Sequence, residues 1–336
     1  MQSTPAPGSY SIVSTMLEDP AIVAAFVAHH LQMDADRIFI FLDAARPEVE
    51  AILAPLPRVR TTVCDDAYWK ASRFGHRPDH VVRRQLANAE QAGDWARSQW
   101  LVHIDSDEFL QQSGSLGREL GDLPPAVNLV RIRNLERVLT TGLNPTTIFQ
   151  GVFRDQITAG KADEERVYGP AARYLRNGLT GYVRGKTATR IGSGVPMKLH
   201  PPLGTDPDDS AIHVASSTCL YHFDGFTALH WLAKLCRRID NNMTGGHKGR
   251  AAQMAFIKSA SSRAERFALF RQLMVLDPSV QQNLAALGLL LDQAFDPLPA
   301  MKAVFPDRTF DLSAEKFDSR LVAANRPWYE SLDLLP

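Results

Sequence analysis

Trp100-Leu101-Val102-His103-Ile104-Asp105-Ser106-Asp107-Glu108-Phe109-Leu110 is an apolar run that leads straight into three closely spaced carboxylates. At a strand end alternate side chains share a face, so the spacing predicts that Asp105 and Asp107 point the same way while Ser106 points away. Hard divalent cations take oxygen ligands, and Mg²⁺ is usually held by one or two carboxylates together with the phosphates of a substrate. The Asp-x-Asp pattern alone does not discriminate, because the chain repeats it in Asp34-Ala35-Asp36 and Asp206-Pro207-Asp208. Only the copy at Asp105 follows a buried-looking strand and precedes a second apolar pair. That context separates a metal-binding strand end from a solvated acidic loop.

Upstream of this stretch, strand-like and helix-like patterns alternate. Tyr10 to Thr15 is a short apolar run, and Asp19-Pro20 reads as a helix start with proline at its first position. Ile22, Val23, Phe26, Val27, His30 and Leu31 then follow helical spacing. Arg37 to Leu42 reads as a strand ending at Asp43, Pro47 to Leu53 as a short helix, and Val59 to Val63 as a third strand. After the polar segment Asp65 to Pro78, a helical pattern from about Asp79 to Arg97 leads into the strand that ends at Asp105. This alternation implies an α/β fold with parallel strands and helices on the sheet's faces. Ligands of open α/β sheets sit at the carboxyl ends of the strands. Thr15, Asp43, Asp65, Asp66, Asp105 and Asp107 are therefore expected around one crevice. Each has a plainer alternative: Asp43 as the cap of a following turn, Asp65 and Asp66 as loop residues.

The chain has 336 residues, with 37 basic and 37 acidic side chains, so nothing in its charge suggests nucleic acid or a membrane surface as partner. Its three cysteines, Cys64, Cys219 and Cys236, are odd in number and lack metal-ligand spacing, which suits core residues in a reducing cytoplasm. No signal-like N-terminus and no run of about 18 apolar residues occurs, so the expectation is a cytoplasmic protein without a transmembrane segment.

The turn after the first strand, Met16-Leu17-Glu18-Asp19-Pro20, has no Gly-x-Gly-x-x-Gly, which argues against a dinucleotide-binding oxidoreductase. Gly181-Tyr182-Val183-Arg184-Gly185-Lys186-Thr187 resembles a phosphate-binding loop but has three residues between its glycines where four are required. There is no Gly-x-Ser-x-Gly elbow and no His-Glu-x-x-His helix. A carboxylate pair without a Walker loop fits an ion that holds the diphosphate of an activated substrate and neutralises it as a leaving group.

Thr15 to Phe26, the strand Ile38 to Leu42 with Asp43, Gln85 with Asn88, and above all His103 to Leu110 resemble bacterial GT-A-fold glycosyltransferases. The nearest group is family-2-like, of the Glyco_tranf_2_4 type and related to family-92-like enzymes; the resemblance spans roughly residues 10 to 240. It implies a GT-A mixed sheet flanked by helices and a helical C-terminal extension. The division expected is a disordered tail at 1–9, a glycosyltransferase domain at 10–225 and the extension at 226–336. The resemblance also implies Mn²⁺ or Mg²⁺ at Asp105 and Asp107, a UDP- or GDP-linked sugar as donor, a carbohydrate or glycoconjugate acceptor, and inversion of configuration. Glu108 would orient the pair. Glu18 falls where the family has an Asn-Glu pair, although Leu17 stands in place of the Asn, and Asp43 matches the acidic residue that approaches the base or ribose. Gln85 and Asn88 match a Gln-x-x-Asn pair that reaches the donor from the side, or else tie their helix to a loop.

In the second half Pro124 to Arg133 and Tyr182 to Arg190 read as strands. The latter carries Arg184, Lys186 and Arg190 on one face. This basic ladder would balance a diphosphate, with Lys186 beside the donor, or would guard a solvent-facing edge strand. His222 in Cys219-Leu220-Tyr221-His222-Phe223, with His200 as the alternative, is the expected imidazole ligand of the ion, set against a purely structural histidine. No pattern singles out the catalytic base. Glu136 and Asp66 are the two carboxylates so placed, and an ion pair with Arg133 or Arg137 is the competing role for Glu136. Pro201 to Ser210 reads as a mobile loop, and Leu229, Leu232, Cys236, Ile239 and Met243 trace a helical stripe that Phe267 to Val275 and Leu284 to Phe295 continue. The rival functions are a nucleotidyltransferase of related α/β fold, which usually needs a glycine-rich basic loop after strand one, and a non-catalytic α/β binding protein.

Overall fold

A computed structural model describes residues 5–201, 212–243 and 246–335. The chain divides into two compact units, Met1–Asn134 with Arg184–Leu220 and Pro297–Arg308, and Leu135–Val183 with Tyr221–Asp296 and Thr309–Pro336. Residues 10–225 thus contribute to both units, and so do residues 226–336. Of the expected tail, residues 1–4 lie outside the described residues. The rest is tied down, with Gly8 N–H donating to Gln99 Oε1 at 2.7 Å. The expected loop at 201–210 lies outside the described residues except for Pro201.

The first unit opens with β1 (Tyr10–Met16), α1 (Pro20–Gln32), β2 (Ile38–Leu42), α2 (Pro47–Leu53) and β3 (Val59–Val63). It continues with α3 (Asp66–Ala71), α4 (Val81–Trp95), β4 (Trp100–His103), β5 (Glu108–Gln112), α5 (Leu116–Asp122) and the long β6 (Leu129–Thr140), whose second half belongs to the other unit. Strands β4, β1, β2 and β3 lie side by side in parallel, with Val13 opposite both Phe39 and His103. Every residue of β1, β2 and β4 is buried, the near-continuous apolar run expected of strands covered on both faces. The helix start read at Asp19-Pro20 is present: Asp19 Oδ1 accepts the Ala21 N–H at 2.9 Å.

Along the rest of the chain come β7 (Val152–Arg154) and α6 (Lys161–Tyr168) of the second unit, then β8 (Lys186–Arg190) of the first and β9 (Ile212–His222). The second unit gathers α7 (Ala228–Asp240), α8 (Lys248–Ser259), α9 (Arg263–Met274), β10 (Val275–Leu276), α10 (Pro278–Ala286) and β11 (Leu290–Leu291). α11 (Leu298–Val304) returns to the first unit and packs on α1, and α12 (Ala314–Ala324) and α13 (Arg326–Ser331) end the second.

Two expectations change here. The strand read at Tyr182 to Arg190 begins only at Lys186, because Gly185 has φ +71° and stands so close to Ile132 that a Cβ would lie 2.2 Å from its carbonyl oxygen. Nor is β8 an edge strand, since it pairs antiparallel with β4 on one side and with Leu129 to Ile132 of β6 on the other. The helical reading of the C-terminal third holds for α7 to α10, but Val275–Leu276 and Leu290–Leu291 are short strands paired with β6 and β7. Of the cysteines, Cys64 and Cys236 are buried and Cys219 is half-buried, and among the described residues none of them forms a disulfide.

α1 is locked to β5 by two histidines. The His29 Nε2–H donates to the Leu110 carbonyl at 2.7 Å; His30 Nδ1–H donates to the Phe26 carbonyl at 2.8 Å while its Nε2 accepts the Leu110 N–H at 3.2 Å. Protonating His30 Nε2 would break that last bond inside the core. Burial lowers His29 to about 4 and His30 well below its ordinary value. Groups depressed in the folded state contribute stability above the unfolded pKa of about 6.5 and lose it as pH falls towards the folded pKa. Urea midpoints should therefore show a loss of roughly 1–2 kcal/mol per histidine between pH 7.5 and pH 5. A His30→Phe variant with an unchanged pH slope would contradict this assignment.

Candidate active site at the carboxyl end of the parallel strands

β4 stops at His103, and Asp105 to Glu108 form a tight turn closed by the Glu108 N–H donating to the Asp105 carbonyl at 3.1 Å. The alternating-face argument for Asp105 and Asp107 therefore does not apply, because the backbone between them is bent rather than extended. Glu108 Oε2 accepts the Asp105 N–H at 2.8 Å, so its carboxylate holds the turn from behind. The Glu108 side chain is fully buried, while that of Asp105 is about one-third exposed at 34%.

Lys186, the first residue of β8, is buried to 1% exposure; its Nζ donates to Asp105 Oδ2 and lies 3.5 Å from Glu108 Oε2. Burial disfavours the ammonium, yet Asp105 and Glu108 more than offset this and raise its pKa. Conversely, burial would raise Asp105, but Lys186 holds it well below the usual carboxylate range. Only Lys186 of the expected basic ladder reaches the carboxylates. The Arg190 guanidinium lies 4.3 Å from the centre of the Trp100 ring, and Arg184 donates to the Pro201 carbonyl at 3.4 Å.

The Gln-x-x-Asn pair on α4 binds two strand ends. Gln85 Nε2 donates to Asp105 Oδ1 at 2.7 Å, and Asn88 Nδ2 donates to Thr15 Oγ1 at 2.9 Å while its Oδ1 accepts the Tyr68 hydroxyl at 2.7 Å. Asn88 is fully buried, so its part is to fix β1 and α3 against the helix. Asp43 does not cap a turn. Its Oδ1 accepts from Arg84 Nε at 2.9 Å and its Oδ2 from Arg77 at 2.8 Å and Arg84 at 3.0 Å. Neither arginine stood out in the sequence; the pairing spans 34 and 41 residues. Asp65 Oδ1 accepts the Tyr68 N–H at 2.8 Å as the N-cap of α3, which leaves Asp66 exposed in its first turn. The Glu18 carbonyl accepts from Arg46 at 2.9 Å.

Two imidazoles of this unit feel the same charges. Burial, reinforced by Lys186, lowers His103 to about 3 and His200 to about 4, so both are neutral at physiological pH. His200 Nδ1–H donates to the Gly185 carbonyl at 2.7 Å, which puts the lone pair on Nε2, the tautomer a metal-binding histidine presents. Three carboxylates set against one ammonium leave two formal negative charges at the turn, which one divalent cation would balance. The residues present thus fit a hard or borderline ion such as Mg²⁺ or Mn²⁺.

Glu136 and His222 belong to the second unit. Glu136 is wholly buried and accepts from Arg154 Nη2 at 2.6 Å, from the Thr180 N–H at 3.0 Å and hydroxyl at 2.9 Å, and from the Gly181 N–H at 2.7 Å. Its ion-pair partner is Arg154 rather than Arg133 or Arg137. With these donors around it, the carboxylate has no open side for an incoming hydroxyl. His222 ends β9, is buried, and lies 5.0 Å from Tyr182 between ring centres. A Cβ at Gly181 would come within 2.8 Å of His222 Cε1, so a larger residue there would displace the imidazole.

No protein-family model matches the sequence, and no curated protein matches it. Among solved structures, the chain is similar to residues 1–349 of TarS from S. aureus in complex with UDP, at TM-score 0.35 and 10% identity over 97% of this chain and 88% of that one. The same protein in complex with UDP-GlcNAc gives TM-score 0.33 at 9% identity over the same shares. HddC from Yersinia pseudotuberculosis gives TM-score 0.32 at 10% identity, over 64% of this chain and 92% of that one. These likenesses are too distant to place any residue.

Proposed function

We propose that this chain is a metal-dependent glycosyltransferase of the GT-A kind, moving a sugar from a UDP- or GDP-linked donor to a hydroxyl of a carbohydrate or glycoconjugate with inversion. The observation that carries the reading is the Asp105–Glu108 turn at the carboxyl end of a parallel strand, fixed by Gln85, Glu108 and Lys186. Such a turn can bind a cation and a diphosphate side by side. When bound, Mn²⁺ or Mg²⁺ would neutralise the diphosphate as it leaves. Asp107 with His200, or with His222 as the sequence favoured, would hold the ion. Lys186 sets the charge of the turn, and Asp43 with Thr15 and Glu18 faces the nucleoside side of the donor.

In an inverting transfer the acceptor oxygen bonds to the anomeric carbon as the bond from that carbon to the diphosphate oxygen breaks, and a carboxylate takes the hydroxyl proton. Asp66, exposed in the first turn of α3, is the assigned base in place of Glu136. Three cysteines outside any disulfide support a cytoplasmic setting. Among the described residues no helix is long and apolar enough to cross a membrane. A nucleotidyltransferase is disfavoured because the turn after β1 holds no glycine.

Isothermal titration of UDP and GDP, with and without Mn²⁺, tests the proposal on wild type and Asp107→Ala. Wild type should bind one nucleotide only with metal, and the variant should weaken this by roughly 10–100-fold, as for loss of a ligand or its support. Metal-independent binding, or none, would sink the donor-site assignment. His200→Ala and His222→Ala decide between the imidazoles by which one weakens Mn²⁺ affinity.

A further inference from the structure

The second unit contains a cavity of about 650 Å³, within the roughly 300–1,000 Å³ of small-molecule sites. Ile157 and Leu175 form apolar parts of its wall, and Lys161, Arg173, Arg176 and Lys248 line it as exposed cations. Its one carboxylate, Glu164, is buried and already engaged, accepting from Lys161 Nζ at 3.0 Å and from the Gly178 N–H at 2.8 Å. Among the described residues no carboxylate forms an ion pair with Arg173, Arg176 or Lys248. In a chain with 37 acidic and 37 basic side chains, three cations gathered without acidic partners around one concavity are a local departure from balance.

One of these cations, Arg173, is held by its side chain before any ligand arrives, and a second, Arg176, stands on a fixed stretch of backbone. Arg176 and Leu179 exchange backbone bonds of 2.9 and 3.0 Å across the two-residue turn Asn177-Gly178, whose φ values of 52° and 80° suit a type I′ turn. The Asn177 carbonyl accepts the Ile157 N–H at 2.9 Å, tying the turn to the wall beneath it. The Arg173 guanidinium lies 4.6 Å from the centre of the Tyr174 ring and donates to its hydroxyl at 2.6 Å. A guanidinium fixed as that of Arg173 is loses less freedom on binding a planar or tetrahedral oxyanion.

We propose that this cavity binds a small phosphate ester, with the phosphate between Arg173, Arg176 and Lys248 and the organic body against Ile157 and Leu175. The site is independent of the donor assignment, since none of its residues belongs to the first unit.

The test is calorimetry with inorganic phosphate and with glucose 6-phosphate at low ionic strength and without divalent metal. Wild type, Arg173→Ala/Arg176→Ala, Arg176→Glu and Asp107→Ala are compared, folding being checked by circular dichroism. The ester should bind more tightly than inorganic phosphate and weaken with salt. The double variant and the charge reversal should each lose about tenfold or more, as expected for charge-assisted contacts, and Asp107→Ala should match wild type. Undetectable binding, affinity unaltered in both arginine variants, or loss only in Asp107→Ala would overturn the proposal. Inorganic phosphate binding as tightly as the ester would overturn the role given to the apolar wall.

Discussion

Methionine in place of Lys186 is expected to cost about 3–5 kcal/mol of stability, the usual price of leaving a buried charge without its partner. The ammonium is the internal counter-ion of Asp105 and Glu108, and a thioether of similar length would leave two carboxylates facing each other beside β8. The pH dependence has a definite sign. Asp105, depressed in the folded state, contributes stability above the ordinary carboxylate pKa of about 3.9 and loses it as pH falls below that value. Lys186, raised in the folded state, contributes stability in full below about 10.4 and loses it as pH climbs through its folded value. Urea titrations between pH 5 and 9 should therefore show a constant deficit in Lys186→Met. The double variant with Asp105→Asn should recover part of it. A single variant within about 0.5 kcal/mol of wild type, the range of an ordinary surface change, would refute the counter-ion role.

Glu136→Gln should be comparably damaging, also by about 3–5 kcal/mol, because the amide leaves Arg154 buried and uncompensated. Burial alone would push the Glu136 carboxyl up, but the Arg154 guanidinium and the Thr180 N–H hold it below its ordinary value. Thr180 Oγ1 also lies 2.9 Å from Asp224 Oδ2, and Asp224 takes two bonds from Arg250 at 2.8 Å, so the disturbance reaches a second buried ion pair. Stability and turnover separate the two candidate bases. Glu136→Gln should show a lowered urea midpoint, whereas Asp66→Asn, at an exposed helix start, should keep the midpoint and lose roughly 10²–10⁴ in kcat. A fully stable Glu136→Gln with that kcat loss would restore Glu136 as the base.

What could be read from the sequence was local. Asp19-Pro20 and Pro47 mark helix starts because a cap or a proline acts within one turn, and β1, β2 and β4 emerge from apolar runs that a covered parallel strand requires. α3 was hidden in a polar segment. Its six residues have too little periodicity to register, and it is held by the Asp65 cap, buried Trp69 and the Tyr68 bond to Asn88. The site followed the same division. The carboxylates at the strand ends, Gln85 and Asn88 were visible as residue types at helical or strand spacing. The pairings that set their charge were not: Lys186 was read as a partner of the diphosphate and not of Asp105, which it meets across 81 positions, and Arg84, which meets Asp43 across 41, was not singled out. Such pairings have no local signature. The turn at Asp105 was misread as extended because strand alternation was carried one step past the end of β4.

The interleaved division of the chain bears on how it is synthesised and handled. Residues 297–308, which carry α11 onto α1, belong to the first unit although most of the second unit precedes them. A growing polypeptide therefore cannot finish its amino-terminal unit while emerging from the ribosome; α1 waits for a helix that is made near the end. A cut at 225/226 would deprive the first unit of α11 and the second of α7 to α10, so coexpressed halves would have to complement one another rather than fold as separate modules.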